Sequence, residues 1–171
     1  MNAGLAEMFR YDHWANARLL ESCRPLTEAQ LDARPPGISG TVAELLMHIV
    51  GGEATSILRT MGRQHEGELN RQSEWPGLDG LISIANRTGE ELIAIAERLD
   101  TDAQVELSWR GKGYSYPKSF FLVHAMEHGV EHRTEVKVGL AQLGFATPDL
   151  DAWEYAAARG YGAEHDAPIK G

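Results

Sequence analysis

The segment from Phe120 to Glu135 reads Phe-Phe-Leu-Val-His-Ala-Met-Glu-His-Gly-Val-Glu-His-Arg-Thr-Glu. At roughly 100° per helical residue, His124, His128 and His132 fall within about 80° of one another, and Glu131 and Glu135 share their sector. His128 and His132, at i and i+4, stand one turn apart, close enough for their ring nitrogens to converge on one divalent metal ion. Two ligands from one helix do not make a tight site, so a third must come from another element. His48 is the natural candidate: it sits among Leu45, Leu46 and Ile49, where a solvent-facing polar residue is not expected. The competing accounts are a hydrogen-bonded core histidine for His48 and a solvated acidic helix face for the pair.

These residues need elements to position them, and four stretches with apolar residues at helical spacing cover most of the chain. The first runs from about Gly4 to Cys23, with Leu5, Met8, Phe9, Ala15, Leu19 and Leu20 on one stripe, and Pro25 ends it. The second opens with the capping box Thr41-Val42-Ala43-Glu44 and continues to about Met61. The third spans Leu78 to Leu99, and the fourth runs from about Pro117 to Leu143, stopping at Gly144. Between the last two, Gln104 to Trp109 alternates polar and apolar residues and Tyr114-Ser115-Tyr116 follows, the pattern of a small β-hairpin or extended arm. Asp149 to Arg159 reads as a short last helix, with residues 161–171 as a loosely held tail. The connections between the long helices exceed those usual between antiparallel neighbours, so crossover connections are expected as well as tight hairpins.

Composition narrows the function. A chain of 171 residues suits one domain, here residues 1–160. Sixteen Lys and Arg against twenty-five Asp and Glu give a net charge of −9, which opposes docking on nucleic acid or an anionic membrane surface. One cysteine, Cys23, excludes a disulfide framework and a multi-cysteine zinc site, and fits a reducing cytoplasm. The first residues have neither the basic start nor the apolar run of a secretory signal, and no stretch is long enough for a membrane span.

Other residues have competing readings. Glu44, one turn before His48, is accounted for by the capping box. Gly51 and Gly52 each cost roughly 1 kcal/mol in a helix relative to Ala; close helix approach or room for a ligand would justify them, and a kink is the alternative. Trp14, Trp75, Trp109, Tyr114 and Tyr116 are candidates for a pocket lining or for core. Arg110, Lys112 and Arg133 offer positive charge for a carboxylated substrate, or are ordinary surface residues. Cys23 reads as an inert helix residue, and His13, His65 and His165 as surface histidines. His128 to His132 also spells H-x-x-E-H, a peptidase signature. The only downstream glutamates beyond Glu135, Glu154 and Glu164, fall in a short helix and a tail, which disfavours that reading.

Three segments together resemble the DinB/YfiT superfamily of metal-binding proteins: Tyr11-Asp12-His13-Trp14-Ala15-Asn16-Ala17-Arg18-Leu19-Leu20, Gly40 to Ile49, and His124 to Arg133. The resemblance covers almost the whole chain in order. It implies an all-α four-helix bundle of up-down-down-up topology, a homodimer, and a divalent metal held by His48, His128 and His132, with His124 a neighbour and not a ligand. Where family members often continue Gly-Gln after Arg133, this chain has Thr134-Glu135. Such a set leaves coordination positions open, as catalytic sites do; imidazole suits zinc or nickel. The expected activity is hydrolysis or transfer of a low-molecular-weight thiol to a small molecule through activated water or thiol, with Glu131 and Glu135 as the first candidates for general base or for orienting a ligand imidazole. The alternative is a non-catalytic, metal-stabilised dimeric bundle with an interaction or stress-response role.

Overall fold

Apolar periodicity and end signals translate directly into helices. The computed structural model describes residues 2–64, 69, 73–99 and 102–162; the expected tail from 163 onward, with Glu164 and His165, and His65 lie outside the described residues. In chain order the elements are α1 (Ala3–Ser22), a single turn α2 (Glu28–Leu31), α3 (Val42–Thr60), α4 (Gly77–Arg98), β1 (Gln104–Trp109), β2 (Lys112–Pro117), α5 (Lys118–Gln142) and α6 (Ala152–Ala158). The four long helices match the four periodic stretches. The hairpin is antiparallel, Trp109 pairing with Lys112 across the Arg110-Gly111 turn. Only α2 has no counterpart in the periodicity. It is too short to show any, although Thr27 and Gln30 form a reciprocal capping box at its start.

Helix ends are held by specific groups. Thr41 and Glu44 cap α3 reciprocally, with bonds of 3.1 and 2.8 Å. Asp102 caps α5 from outside the helix, accepting from the Ser119 amide at 2.9 Å and from its hydroxyl at 2.6 Å. The last turn of α3 closes in a Schellman arrangement: Gly62, at φ +72°, donates to the Arg59 carbonyl and Arg63 donates to that of Leu58.

Contacts along the helices give their directions. His13 lies against Gly89 and Arg24 reaches Asp79, so α1 and α4 run antiparallel. His48 meets His128 and Arg59 shares a cavity lining with Phe120, so α3 and α5 are antiparallel too. Leu5 and Met8 sit near Leu122 and Met126 while Asp12 reaches Arg133, so α1 and α5 run parallel. The result is an up-down-down-up four-helix bundle in which α3 and α5 form one tightly packed pair and α1 and α4 the other.

The interior has two apolar regions, one around Leu19, Leu45, Leu46, Leu81, Val136 and Leu140, the other around Phe9, Ile57, Leu92, Leu122 and Ala125. Between them all four long helices contribute to a buried polar cluster of Asp12, Asn16, Glu53, Thr88 and Arg133. Arg133 Nη1 donates to Asn16 Oδ1 at 2.7 Å and lies 2.6 Å from Asp12 Oδ1. Asn16 Nδ2 and Thr88 Oγ1 donate to the two oxygens of Glu53, at 2.6 and 2.7 Å. Arg133 is therefore not a surface cation as its sequence context suggests: one position after His132, it turns into the bundle centre. His13 also departs from expectation, half-buried where Gly89 lets α4 come close to α1, because a Cβ at residue 89 would lie 2.2 Å from His13 Nδ1. Met8, placed on the apolar stripe by periodicity, is 51% exposed.

Burial and the neighbouring Asp12 carboxylate push the Glu53 pKa well above its ordinary 4.5. The Glu53 carboxyl is thereby pushed toward the neutral form beside the Arg133–Asp12 ion pair. Below pH 4.5 the folded and unfolded chains both hold this proton and Glu53 costs nothing; as pH rises the unfolded chain ionises while the buried side chain cannot, so stability is lost up to the folded-state pKa. Glu53→Gln should therefore gain stability relative to the natural chain as pH rises above 4.5 in denaturant titrations. Parallel pH profiles for the two proteins would contradict a neutral Glu53.

Candidate metal centre

On α5 the residues Leu122, Ala125, Gly129, Arg133, Val136 and Leu140 form the buried stripe. His124, His128, His132 and Glu135 lie one position earlier in register, which rotates them by about 100° toward α3. On α3 the equivalent stripe is His48, Gly52, Thr55 and Arg59, separated by four, three and four residues and confined to about 60° of the helix surface. Antiparallel packing sets these two stripes face to face.

At one end of this seam the rings of His48, His128 and His132 form a near-equilateral triangle, with centroids 4.4, 4.5 and 4.6 Å apart. His48 Nε2 and His128 Nε2 face each other at 3.0 Å. One donor nitrogen from each of the three rings lies within 4.8 Å of the others. Tetrahedral coordination at the usual Zn–N length puts ligand nitrogens about 3.3 Å apart, so a small closure or opening of these rings accommodates a divalent ion. Among the described residues the group stops at these three. His124 stacks on His128 at 5.4 Å and is not part of it.

Glu135 orients one ring of the triad. Its carboxylate lies 2.6 Å from His132 Nδ1, which leaves Nε2 of that ring for the centre. It is itself held by the Ser39 amide at 3.0 Å and the Ser39 hydroxyl at 3.1 Å. Burial alone would raise the Glu135 pKa; the bonds from His132 and Ser39 outweigh it and keep the group below its ordinary value, as a carboxylate. Ser39, in the loop before α3, has no sequence signal that ties it to the site. Glu131 is exposed and shares no hydrogen bond with the triad among the described residues.

Gly52 explains how the helices come close enough. A Cβ there would lie 2.5 Å from His128 Cε1 and 2.7 Å from its Nδ1, so the imidazole rests against bare backbone. Of the two readings open for the glycine pair, close approach is the one observed at Gly52, and both glycines line a cavity of about 370 Å³ beside the triad. His48, Thr55, Arg59, Leu69, His124 and His128 complete its wall. Burial, with the Arg59 guanidinium close by and Glu127 acting weakly the other way, holds the His124 imidazole below its usual pKa. His124 Nδ1 is buried without a hydrogen-bond partner among the described residues.

Of the aromatic candidates, Trp109, Tyr114 and Tyr116 line a second cavity of about 310 Å³ with Phe120 and Phe121. Trp14 and Trp75 pack on the core instead. Arg110 and Lys112 are exposed at the hairpin turn. Glu44 is occupied in its capping box. Cys23 caps α1, and burial pushes its thiol up to about 11, so it supplies no thiolate.

The DinB family profile matches residues 1–166. The chain belongs to the DinB family. No curated protein matches it in sequence. Among solved structures it is similar to a DinB-like protein from Bacillus cereus ATCC 10987, at 21% identity and a TM-score of 0.63 over 85% of this chain and 95% of the other. A DinB-like protein from Bacillus subtilis, YjoA, matches at 18% identity and a TM-score of 0.60, covering 86% and 98% of the two chains. At these identities the likeness is one of fold, and it agrees with a DinB-type helical bundle. Among the described residues no helix is long and apolar enough to cross a membrane.

Because Gly52 gives the His128 ring its space at the seam, Gly52→Ala tests the site through that contact. The substitution raises helix propensity by roughly 1 kcal/mol but displaces the His128 ring. The variant should stay folded, with stability within about 1–3 kcal/mol of the natural chain, and bind zinc at least tenfold more weakly, read by competition with a chromogenic chelator. Unchanged zinc affinity would show that the His128 position does not matter.

Proposed function

We propose that His48, His128 and His132 hold one divalent ion, zinc or nickel, and that this DinB protein is a metal-dependent enzyme that acts on a small molecule by activated water or thiol, as a hydrolase or a thiol-dependent transferase. The observation that carries this reading is the convergence of three imidazoles from two helices on one point beside a cavity of about 370 Å³. The donor set fits the group: three neutral ligands with no fourth from the described residues is the pattern of catalytic sites, whereas structural zinc is enclosed by four. When bound, such an ion supplies Lewis acidity and lowers the pKa of a water or thiol brought to it.

The chain's own residues do the rest. Glu135 acts as a positioning residue, fixing the tautomer and plane of His132 through Nδ1. His124 lines the cavity together with His128, its imidazole held below its usual pKa. Glu131 is exposed and is not needed for this arrangement. With Cys23 buried away from the seam, any thiol in the reaction arrives as a substrate. Exposed Met8 and Val123, beside a shallow apolar depression lined by Leu5, Phe9, Leu122 and Met126, support the homodimer reading by offering a face for a second copy.

Metal content of protein purified without an affinity tag tests the ligand set. His48→Ala and His128→Ala should each abolish stoichiometric metal, His124→Ala should retain it, and Glu135→Gln should weaken binding by about 10- to 100-fold. Unchanged metal in both ligand variants would overturn the assignment. Chelation distinguishes the roles: an enzyme keeps its fold and shows a ligand position that added thiols occupy, while unfolding on chelation with no exchangeable position would favour a structural ion.

A further inference from the structure

Arg59 stands in the wall common to two cavities. It lines the cavity that contains His48, His124 and His128, and it also lines the one that contains Trp109, Tyr114, Tyr116, Phe120 and Phe121. It is half-buried in the last turn of α3, where the Schellman closure at Gly62 fixes the backbone. A cation in the last turn is favoured by the helix dipole, which accounts for positive charge at this end of α3. The dipole does not account for a side chain lodged between two cavities. Nor does a salt bridge: in a chain with twenty-five acidic residues, no carboxylate among the described residues pairs with Arg59. Neither described lining contains another Lys or Arg, and the positive residues singled out by sequence lie elsewhere, Arg133 at the bundle centre and Arg110 and Lys112 at the hairpin turn.

We propose that Arg59 anchors the charged group of a monoanionic, amphipathic carboxylate, whose reacting end enters the triad cavity and whose apolar or aromatic end rests on the hairpin. This rests on the triad being the reacting centre and deepens that reading by naming the substrate class. The dimensions agree with an extended molecule: His48 and Arg59 are eleven residues apart on one helix face, about 16 Å along the axis. A single guanidinium, with no second cation among the described residues of either lining, suits one negative charge, and its planar fork matches a carboxylate. The far cavity is built for an apolar group. Tyr116 stacks on Phe120 at 5.2 Å, and Phe120 meets Phe121 edge to face at 5.3 Å, so flat rings already line it. The excess negative charge of the chain makes one exposed-sided cation in this groove selective, because anions are repelled from most of the remaining surface.

The test uses 4-phenylbutyrate and its neutral analogue 4-phenylbutanamide, titrated into the full chain by calorimetry and by the fluorescence change of Trp109. The carboxylate should bind saturably and at least tenfold more tightly than the amide. Arg59→Gln should abolish that preference by weakening the carboxylate alone, Arg59→Lys should restore part of it, and Trp109→Ala should weaken both probes together. Arg59→Gln should keep the metal content of the natural chain, since the residue is not a ligand. The same titration on metal-free protein reads the Arg59 subsite by itself: a carboxylate preference that persists without bound metal upholds the anchor even where the metal reading fails. No saturable binding of 4-phenylbutyrate to the natural chain, or equal binding to Arg59→Gln, would overturn the proposal.

Discussion

The imidazole of His128 lies against the backbone of α3 at Gly52, in space that any other residue's Cβ would occupy. That contact sets the separation of α3 and α5, and the separation decides whether His48 can meet the α5 pair. With the helices closer than side chains ordinarily permit, three rings reach one point and the two stripes, His48-Gly52-Thr55-Arg59 and His132-His128-His124, enclose a groove. A glycine in a helix interior costs stability. Here the cost is tied to the site, and the packing of the long helices offsets it.

Close approach alone does not fix register, since α3 could slide along α5 and still present a smooth surface. The buried cluster of Asp12, Asn16, Glu53, Thr88 and Arg133 resists such sliding. Its hydrogen bonds and ion pair are directional, and each long helix contributes at least one member. Moving α5 by one residue would withdraw the Arg133 guanidinium from Asp12 and strand a buried charge, a loss of about 3–5 kcal/mol by analogy with truncating one partner. Arg133 and His132 are adjacent in sequence, so the residue that locks the register places the triad histidine next to it. Glu53, pushed toward its neutral form, sits beside the Arg133–Asp12 ion pair in the interior.

Much of the scaffold was legible because helical periodicity and end signals are local. Thr41 and Glu44 marked the start of α3, Gly144 marked the end of α5, and the His-x-x-x-His pair marked the α5 face that carries the triad. His48 stood out as a histidine among aliphatic residues, and the resemblance to the DinB/YfiT superfamily supplied the pairing of α3 with α5. What was not legible depended on the third dimension. Arg133 read as a surface charge because its burial arises from Asp12 and Asn16, more than a hundred residues away. His13 read as a surface residue because Gly89 makes room for it from α4. Ser39 gave no sign of holding Glu135, since its role comes from the loop's path over the bundle. Arg59 had a signal that periodicity could have found: it continues the His48, Gly52, Thr55 face by one more turn. Glu53, a carboxylate among apolar residues of α3, was a similar pointer to the polar interior.

The chemistry then follows from what the fold exposes and what it hides. Imidazoles and one carboxylate meet at the seam, the single thiol is enclosed elsewhere, and Arg59 lines both the cavity beside the triad and the one walled by aromatic rings of the hairpin. The central claim is that one ion is held by three imidazoles with a position left open. X-ray absorption at the zinc edge of reconstituted, untagged protein tests it most directly. The account predicts one zinc per chain, with three imidazole nitrogens at about 2.0 Å and a light atom completing the shell that is replaced by sulfur when a small thiol is added. Four imidazoles that no thiol displaces, or zinc bound without histidine, would contradict it.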